Sequence, residues 1–295
     1  MVKKEGLFSN NNMTISERYL HTPGSFARQN LLYVQEVGRL QSLQPHRCVR
    51  ENLESYLFVM VLEGKGSLDI KGKHYEIAEG SCALIDCIEH YEHISDEKEA
   101  WKLAWVHFNG HSGKGYYDLF KEYNNCENVF TIDNVKKWDE MIGELMNRQK
   151  ERNLLAELSS GEILLRLLNC IIEKVSNSGV LEKENEKQLA NEIREKLNDQ
   201  YADANIMQNL ETVFREDVKE LGEIFYRHFG ISIEEYISNR RFNAAKELLR
   251  FSIKPIETVA LESGIGDIIM LQQMFRENEG MTAEEYRAKW AQWIR

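Results

Sequence analysis

The sequence has 295 residues, 42% of them apolar and 29% charged, with a net charge of −11. That composition excludes a disordered chain and suits a globular protein of two domains. The acidic balance speaks against nucleic-acid binding by bulk charge alone, yet leaves room for a local binding face. The strongest apolar run, residues 56–62, is far short of the roughly 18–20 residues of a membrane helix. The first 30 residues are polar and mixed, so no secretory leader is expected. Cys48, Cys82, Cys87, Cys126 and Cys170 are scattered and form no C-x-x-C pair. A reducing cytoplasm is expected, without a disulfide framework or a cysteine zinc site.

Residues 29–110 carry glycine, aromatic and β-branched residues in short alternating runs. Leu68 and Ile70, then Tyr75 and Ile77, flank Lys71-Gly72, which predicts a hairpin. In 101–108 the alternation puts Trp101, Leu103, Trp105 and His107 on one face and Lys102, Ala104, Val106 and Phe108 on the other. Short strands without helical patterns between them predict a small barrel or jelly roll. From about residue 114 the period is helical. Leu154, Leu155, Leu158, Ile163, Leu164, Leu167, Leu168, Ile171 and Ile172 form a wide apolar stripe, suited to packing on the barrel and on a second copy. The alternative is a helix buried within one chain. Residues 176–179 read as a linker, and the charged stretch 182–199 as the start of another helix.

The remainder contains a repeat at an offset of fifty. Residues 217–236 and 267–286 align without a gap and are identical at seven of twenty positions. Asp217 and Asp267 suit helix N-caps. Leu221, Ile224 and Phe225, like Leu271, Met274 and Phe275, make a core stripe. Gly230 and Gly280 mark the helix ends. Ser232 with Glu235 and Thr282 with Glu285 fit capping boxes. The short segment 256–264, with small Ala260 and then Gly264, precedes the second copy. Helix, glycine turn and capped helix make a helix-turn-helix, here twice in tandem.

These features resemble the AraC/XylS-type family of bacterial transcription regulators, over the whole chain. The run from Tyr236 through Arg241, Ala245 and Leu249 is similar to the family's linker helix, and 256–287 to its second helix-turn-helix. Gly64, Gly66, Gly72, Gly80, His90, Trp101, Trp105, His107 and Gly110 look like its cupin effector domain. The resemblance implies an α+β two-domain chain. Residues 1–112 form a cupin-like β-barrel with an N-terminal arm, 113–180 a helical dimerisation segment, and 181–295 an all-α domain with two helix-turn-helix units. It implies a ligand-responsive regulator, a cytoplasmic homodimer, with DNA and a small polar effector such as a sugar as partners. No cofactor and no catalytic residue are implied. Ile265, Leu271, Gln273 and Ala283 depart from the aromatic, aromatic, arginine and proline usual in the family. In the first unit, Leu210 and Glu211 stand near an expected small residue, and Glu216 replaces an apolar one.

Expected ligand contacts are Arg50, Tyr56, His90, His93, Trp101, Trp105 and His107: rings to stack, imidazoles to hydrogen-bond, and a guanidinium for a carboxylate or hydroxyl cluster. Trp101 and Trp105 read equally as barrel core. Each recognition helix turns its core stripe inward and offers the opposite stripe to the major groove. That stripe holds Lys219, Glu223 and Tyr226, with Arg227 beside it, in the first unit, and Ile269, Gln272, Gln273 and Arg276 in the second. Two rival readings remain. Residues 181–295 hold 16 Lys+Arg against 22 Asp+Glu, which suits a ligand-binding relative with weakened or lost DNA affinity. A metal-dependent cupin enzyme would draw on His46, Glu51, His90 and His93, but the His-x-His pair of metal cupins is missing.

Overall fold

Alternating side chains shape the first half of the chain. The computed structural model describes residues 14–176 and 186–291 in full, and the backbone alone of 7–10 and 180–185. In chain order the first unit runs β1 (Leu7–Asn10), β2 (Thr14–Leu20), α1 (Ser25–Asn30), β3 (Tyr33–Ser42), β4 (Arg47–Arg50) and β5 (Tyr56–Glu63). Then come β6 (Lys65–Ile70), β7 (Lys73–Ala78), β8 (Ser81–Asp86), β9 (Tyr91–Ser95) and β10 (Lys102–Asn109). The unit closes with α2 (Gly113–Tyr123), β11 (Val129–Thr131), α3 (Val135–Gln149) and α4 (Leu154–Ser176). One antiparallel sheet has the order β1-β2-β3-β10-β5-β8-β11, the other β4-β9-β6-β7. The hairpin forms where expected: Lys71 and Gly72 both take positive φ between β6 and β7.

Parity along the strands separates two cores. Leu57 and Val61 of β5, Ala83 and Ile85 of β8, and Leu103 and Trp105 of β10 point between the sheets, where they meet Leu68, Ile70 and Tyr91. Phe58, Met60, Cys82, Leu84, Ala104, Val106 and Phe108 take the opposite parity and pack under α2, α3 and α4. The cupin-like layers are present, but the strands described make two facing sheets without hydrogen-bonded closure into a barrel.

The helices of 113–176 are the outer layer of this unit, rather than a segment apart. Chain contacts divide the protein into Met1–Ser178 and Gly179–Arg295. Part of the expected linker, residues 177–179, lies outside the described residues. The wide stripe of α4 resolves into two rows. Ile163, Leu164, Leu167, Leu168 and Ile171 are buried against the sheet and α3. Leu154, Leu155, Leu158 and Leu165 face outward, Leu155 with 71% of its surface exposed. A β-carbon on Gly161 would lie 3.1 Å from the Leu32 carbonyl oxygen, so the glycine lets α4 approach the chain entering β3 closely.

The second unit is helical: α5 (Val180–Gln200), α6 (Ile206–Phe214), α7 (Val218–Phe229), α8 (Ile233–Phe251), α9 (Ile256–Glu262), α10 (Ile268–Glu279) and α11 (Ala283–Trp290). Two small cores share α8. Ile193, Leu197, Leu210, Leu221 and Phe225 meet its start, and Val259, Ala260, Leu271, Phe275 and Tyr286 meet its end. Both halves of the repeat fold alike. Asp217 and Asp267 accept hydrogen bonds from the Lys219 and Met270 amides, and Gly230 and Gly280 close α7 and α10 in the left-handed conformation. Thr282 and Glu285 form the full reciprocal capping box, whereas Ser232 caps α8 through the Glu235 amide.

Candidate functional site

Between the two sheets of the first unit lies a cavity of about 510 Å³. That volume falls in the range of small-molecule sites. Period two brings its walls together. From β2, the alternate residues Thr14, Ser16, Arg18 and Leu20 face it; from β3, Glu36 and Leu40 do. His46 and then Cys48 and Arg50 of β4 stand across from Tyr91 and His93 of β9. Leu57, Val59, Leu103, Trp105 and His107 complete the lining.

Arg18 is held at three points. Its guanidinium bonds the Ser16 hydroxyl at 3.2 Å, lies 3.4 Å from Glu36, and covers the Trp105 ring at 5.4 Å. Gly38 makes room for that ring: a β-carbon there would sit 2.9 Å from Trp105 Cζ2 and 2.6 Å from the Glu17 carbonyl oxygen. His107 Nδ1 lies 3.0 Å from the Ser55 hydroxyl. Burial, with the Arg50 charge adding to it, pushes the His107 imidazole down to about 4. Burial likewise takes His93 down to about 4, assisted by His46 and Arg50. His46 is lowered too, by burial first and then by Arg18 and Arg50. All three rings are therefore neutral near pH 7. His46 and His93 each leave a buried Nδ1 without a hydrogen-bond partner among the described residues.

Four of the seven expected ligand contacts, Arg50, His93, Trp105 and His107, line this cavity. Three do not. Tyr56 has the outward parity of Phe58, and its ring packs at a tilt against Phe108 and against Tyr117 of α2. His90 sits in the exposed β8–β9 turn, 3.3 Å from Glu51. Trp101 is wholly buried, its ring against His93 and against Gly66, where a β-carbon would come within 2.2 Å. Thr14, Ser16 and Arg18 of β2 and Glu36 of β3 join the lining without having been singled out in the sequence. Among the described residues no group of three or more His, Cys, Asp or Glu is placed to hold a metal ion.

In the second unit, α7 exposes Lys219, Glu223, Tyr226 and Arg227 along one shallow depression with Gly222. Arg227 is partly engaged, 3.3 Å from Glu186. On α10, Ile269 is 78% exposed, Met270 half-exposed, and Gln273 and Arg276 exposed. Gln273 bonds Glu277 one turn on at 2.8 Å. Gln272 departs from the expected role. Its Nε2 donates to Glu284 at 2.7 Å and its Oε1 accepts from the Ala283 amide at 3.0 Å, so both ends of the amide bracket the start of α11.

Comparison with known proteins agrees with this division. A model of the AraC-like ligand binding domain matches residues 33–125, and a helix-turn-helix domain model matches 217–289. The chain is similar to the arabinose operon regulatory protein of Escherichia coli (strain K12), 23% identical over 252 residues, covering 80% of this chain and 81% of that one. It is also similar to the Msm operon regulatory protein of Streptococcus mutans, 22% identical over 240 residues, covering 79% and 84%. Among solved structures, ToxT from Vibrio cholerae O395 aligns over 89% of this chain and 98% of its own, at 16% identity and a TM-score of 0.31. The chain belongs to the AraC family of ligand-responsive, DNA-binding transcription regulators.

Proposed function

We propose that the cavity between the sheets is the effector site and that it takes a small polar molecule, a sugar or a close relative of one. The observation that carries this reading is the convergence of Arg18, Arg50, His46, His93 and His107 on one cavity, all but Arg18 within the segment matched by the ligand-binding model. Apolar walls from Leu40, Leu57 and Leu103 give the ligand a face to lie on, and the polar groups give it orientation. The protein works by binding, without bond chemistry. Occupancy of the cavity changes DNA affinity through a coupling of about 1–3 kcal/mol.

Residues 181–295 read DNA in the major groove, one half-site for each protomer of a cytoplasmic homodimer. Lys219 and Arg276 meet phosphate. Ile269 meets a thymine methyl, and Gln273 exchanges Glu277 for an adenine edge. Glu223 meets a cytosine amino group, and Tyr226 and Arg227 lie at the rim. The outer row of α4, Leu155, Leu158 and Leu165, is the face for the second copy. A mobility-shift titration on the DNA preceding its own coding sequence tests the reading, and binding that changes with a cavity ligand supports it. One observation favours a second reading, a ligand-binding protein that has lost DNA affinity: residues 181–295 carry a net charge of −6. Absence of any shift at low salt would select it.

A further inference from the structure

The cavity contains one positive charge that no described residue neutralises. Arg18 and Glu36, 3.4 Å apart, cancel each other. Arg50 extends from β4 opposite Tyr91, at the mouth, where its side chain is exposed. Among the described residues no hydrogen bond or ion pair engages it. The neighbouring carboxylates are committed elsewhere. Glu92, on the outer face of β9, holds Arg47 at 2.5 and 2.8 Å, and Glu51 lies 3.3 Å from His90. Deeper in, His46 and His93 present neutral imidazoles whose buried Nδ1 atoms lack partners.

We propose that the ligand of this cavity is a monoanion of the sugar-acid class, a small polyhydroxylated carboxylate. Its carboxylate pairs with Arg50 and its hydroxyls meet His46, His93 and His107. The inference rests on the cavity being the effector site and specifies its chemistry. In the empty protein water solvates Arg50. A neutral ligand closing the mouth would strip that water and return no charge, whereas a carboxylate returns a two-point, charge-assisted pair. A phosphate dianion asks for a second uncompensated cation, and Arg18 is already matched. Neutral imidazoles donate at one nitrogen and accept at the other, which suits hydroxyls better than further anionic oxygens.

The test is a binding titration of the full-length protein, followed by tryptophan fluorescence and melting temperature. The probes are D-galacturonate, D-glucuronate and D-gluconate, each beside its parent neutral sugar, with galactose 6-phosphate and glucose 6-phosphate as dianions. We expect at least one acid to bind tenfold or more tighter than its parent sugar. R50Q should remove that preference while leaving the melting temperature of the empty protein unchanged, and R50K should restore part of it. Equal or tighter binding of a neutral sugar or a phosphate, or acid binding indifferent to R50Q, overturns the inference and leaves the cavity as effector site. If no probe binds, the inference falls, and Trp105→Ala with the same fluorescence readout then tests the effector-site reading separately against neutral polar metabolites.

Discussion

The guanidinium of Arg18 lies over the ring of Trp105, 5.4 Å from its centroid, while reaching Glu36 and the Ser16 hydroxyl. One side chain thus ties β2 to β3 and β10 across the cavity wall. Arg18→Ala removes a partly buried ion pair and a cation–π contact, and should cost about 1–2 kcal/mol of stability. Arg18→Lys should recover less than half of that, because an ammonium cannot lie flat on the ring. Urea denaturation followed by tryptophan fluorescence measures both. Equal stability of all three proteins would contradict this role for the contact.

The buried imidazoles set a pH dependence. An unfolded histidine titrates near 6.5. Folded His93 and His107 hold off protonation until about 4. Below pH 6.5 the unfolded chain therefore takes up protons that the folded chain refuses. Stability from these groups is complete above 6.5, declines as the pH falls, and is lost by about 4. Melting curves between pH 7.5 and 4.5 should show this decline, and a His93→Gln/His107→Gln double variant should show a flatter one.

The two rows of α4 should respond differently to substitution. Leu164→Ala opens a cavity in the core beneath the helix and should cost about 2–5 kcal/mol. The parent should sediment as the proposed dimer, and a Leu155→Glu/Leu158→Glu variant should keep its melting temperature and sediment as a monomer. An unchanged sedimentation coefficient would remove the outer row from the assembly.

Adjacent glutamines on α10 should separate structure from readout. Gln272→Ala breaks the bracket to Glu284 and the Ala283 amide, and should destabilise the second unit by about 1 kcal/mol. Gln273→Ala should leave stability alone, cost about 1–3 kcal/mol on the best site and relax preference at one base pair. Arg276→Ala should weaken all DNA alike and make the salt slope shallower by about one unit. Melting curves and DNA titrations on the three variants read these outcomes.

Much of this architecture was legible in the sequence because it depends on local rules. Alternation placed Leu103, Trp105 and His107 on one face, and the repeat at an offset of fifty located both recognition helices with their caps. The same parity, carried from Phe58 back to Tyr56, would have put Tyr56 under the helices. What stayed hidden depends on tertiary contacts. Trp101 shares parity with Trp105, yet lies against Gly66, a neighbour that only sheet packing supplies. Gln272 sits on the expected groove face by helical spacing, and only the return of α11 shows that its amide is used. The wall from β2 was missed because the polar run 14–20 lacks the apolar character by which strands are recognised.

The most direct test of a ligand-responsive regulator is equilibrium binding to the DNA preceding its own coding sequence, at several salt concentrations. It is measured with and without whichever sugar or sugar acid occupies the cavity. We expect site-specific binding that weakens as salt rises and shifts by about 5- to 150-fold when the cavity is filled. Absence of binding at low salt in both states, or an affinity indifferent to a ligand shown to be bound, would contradict the account.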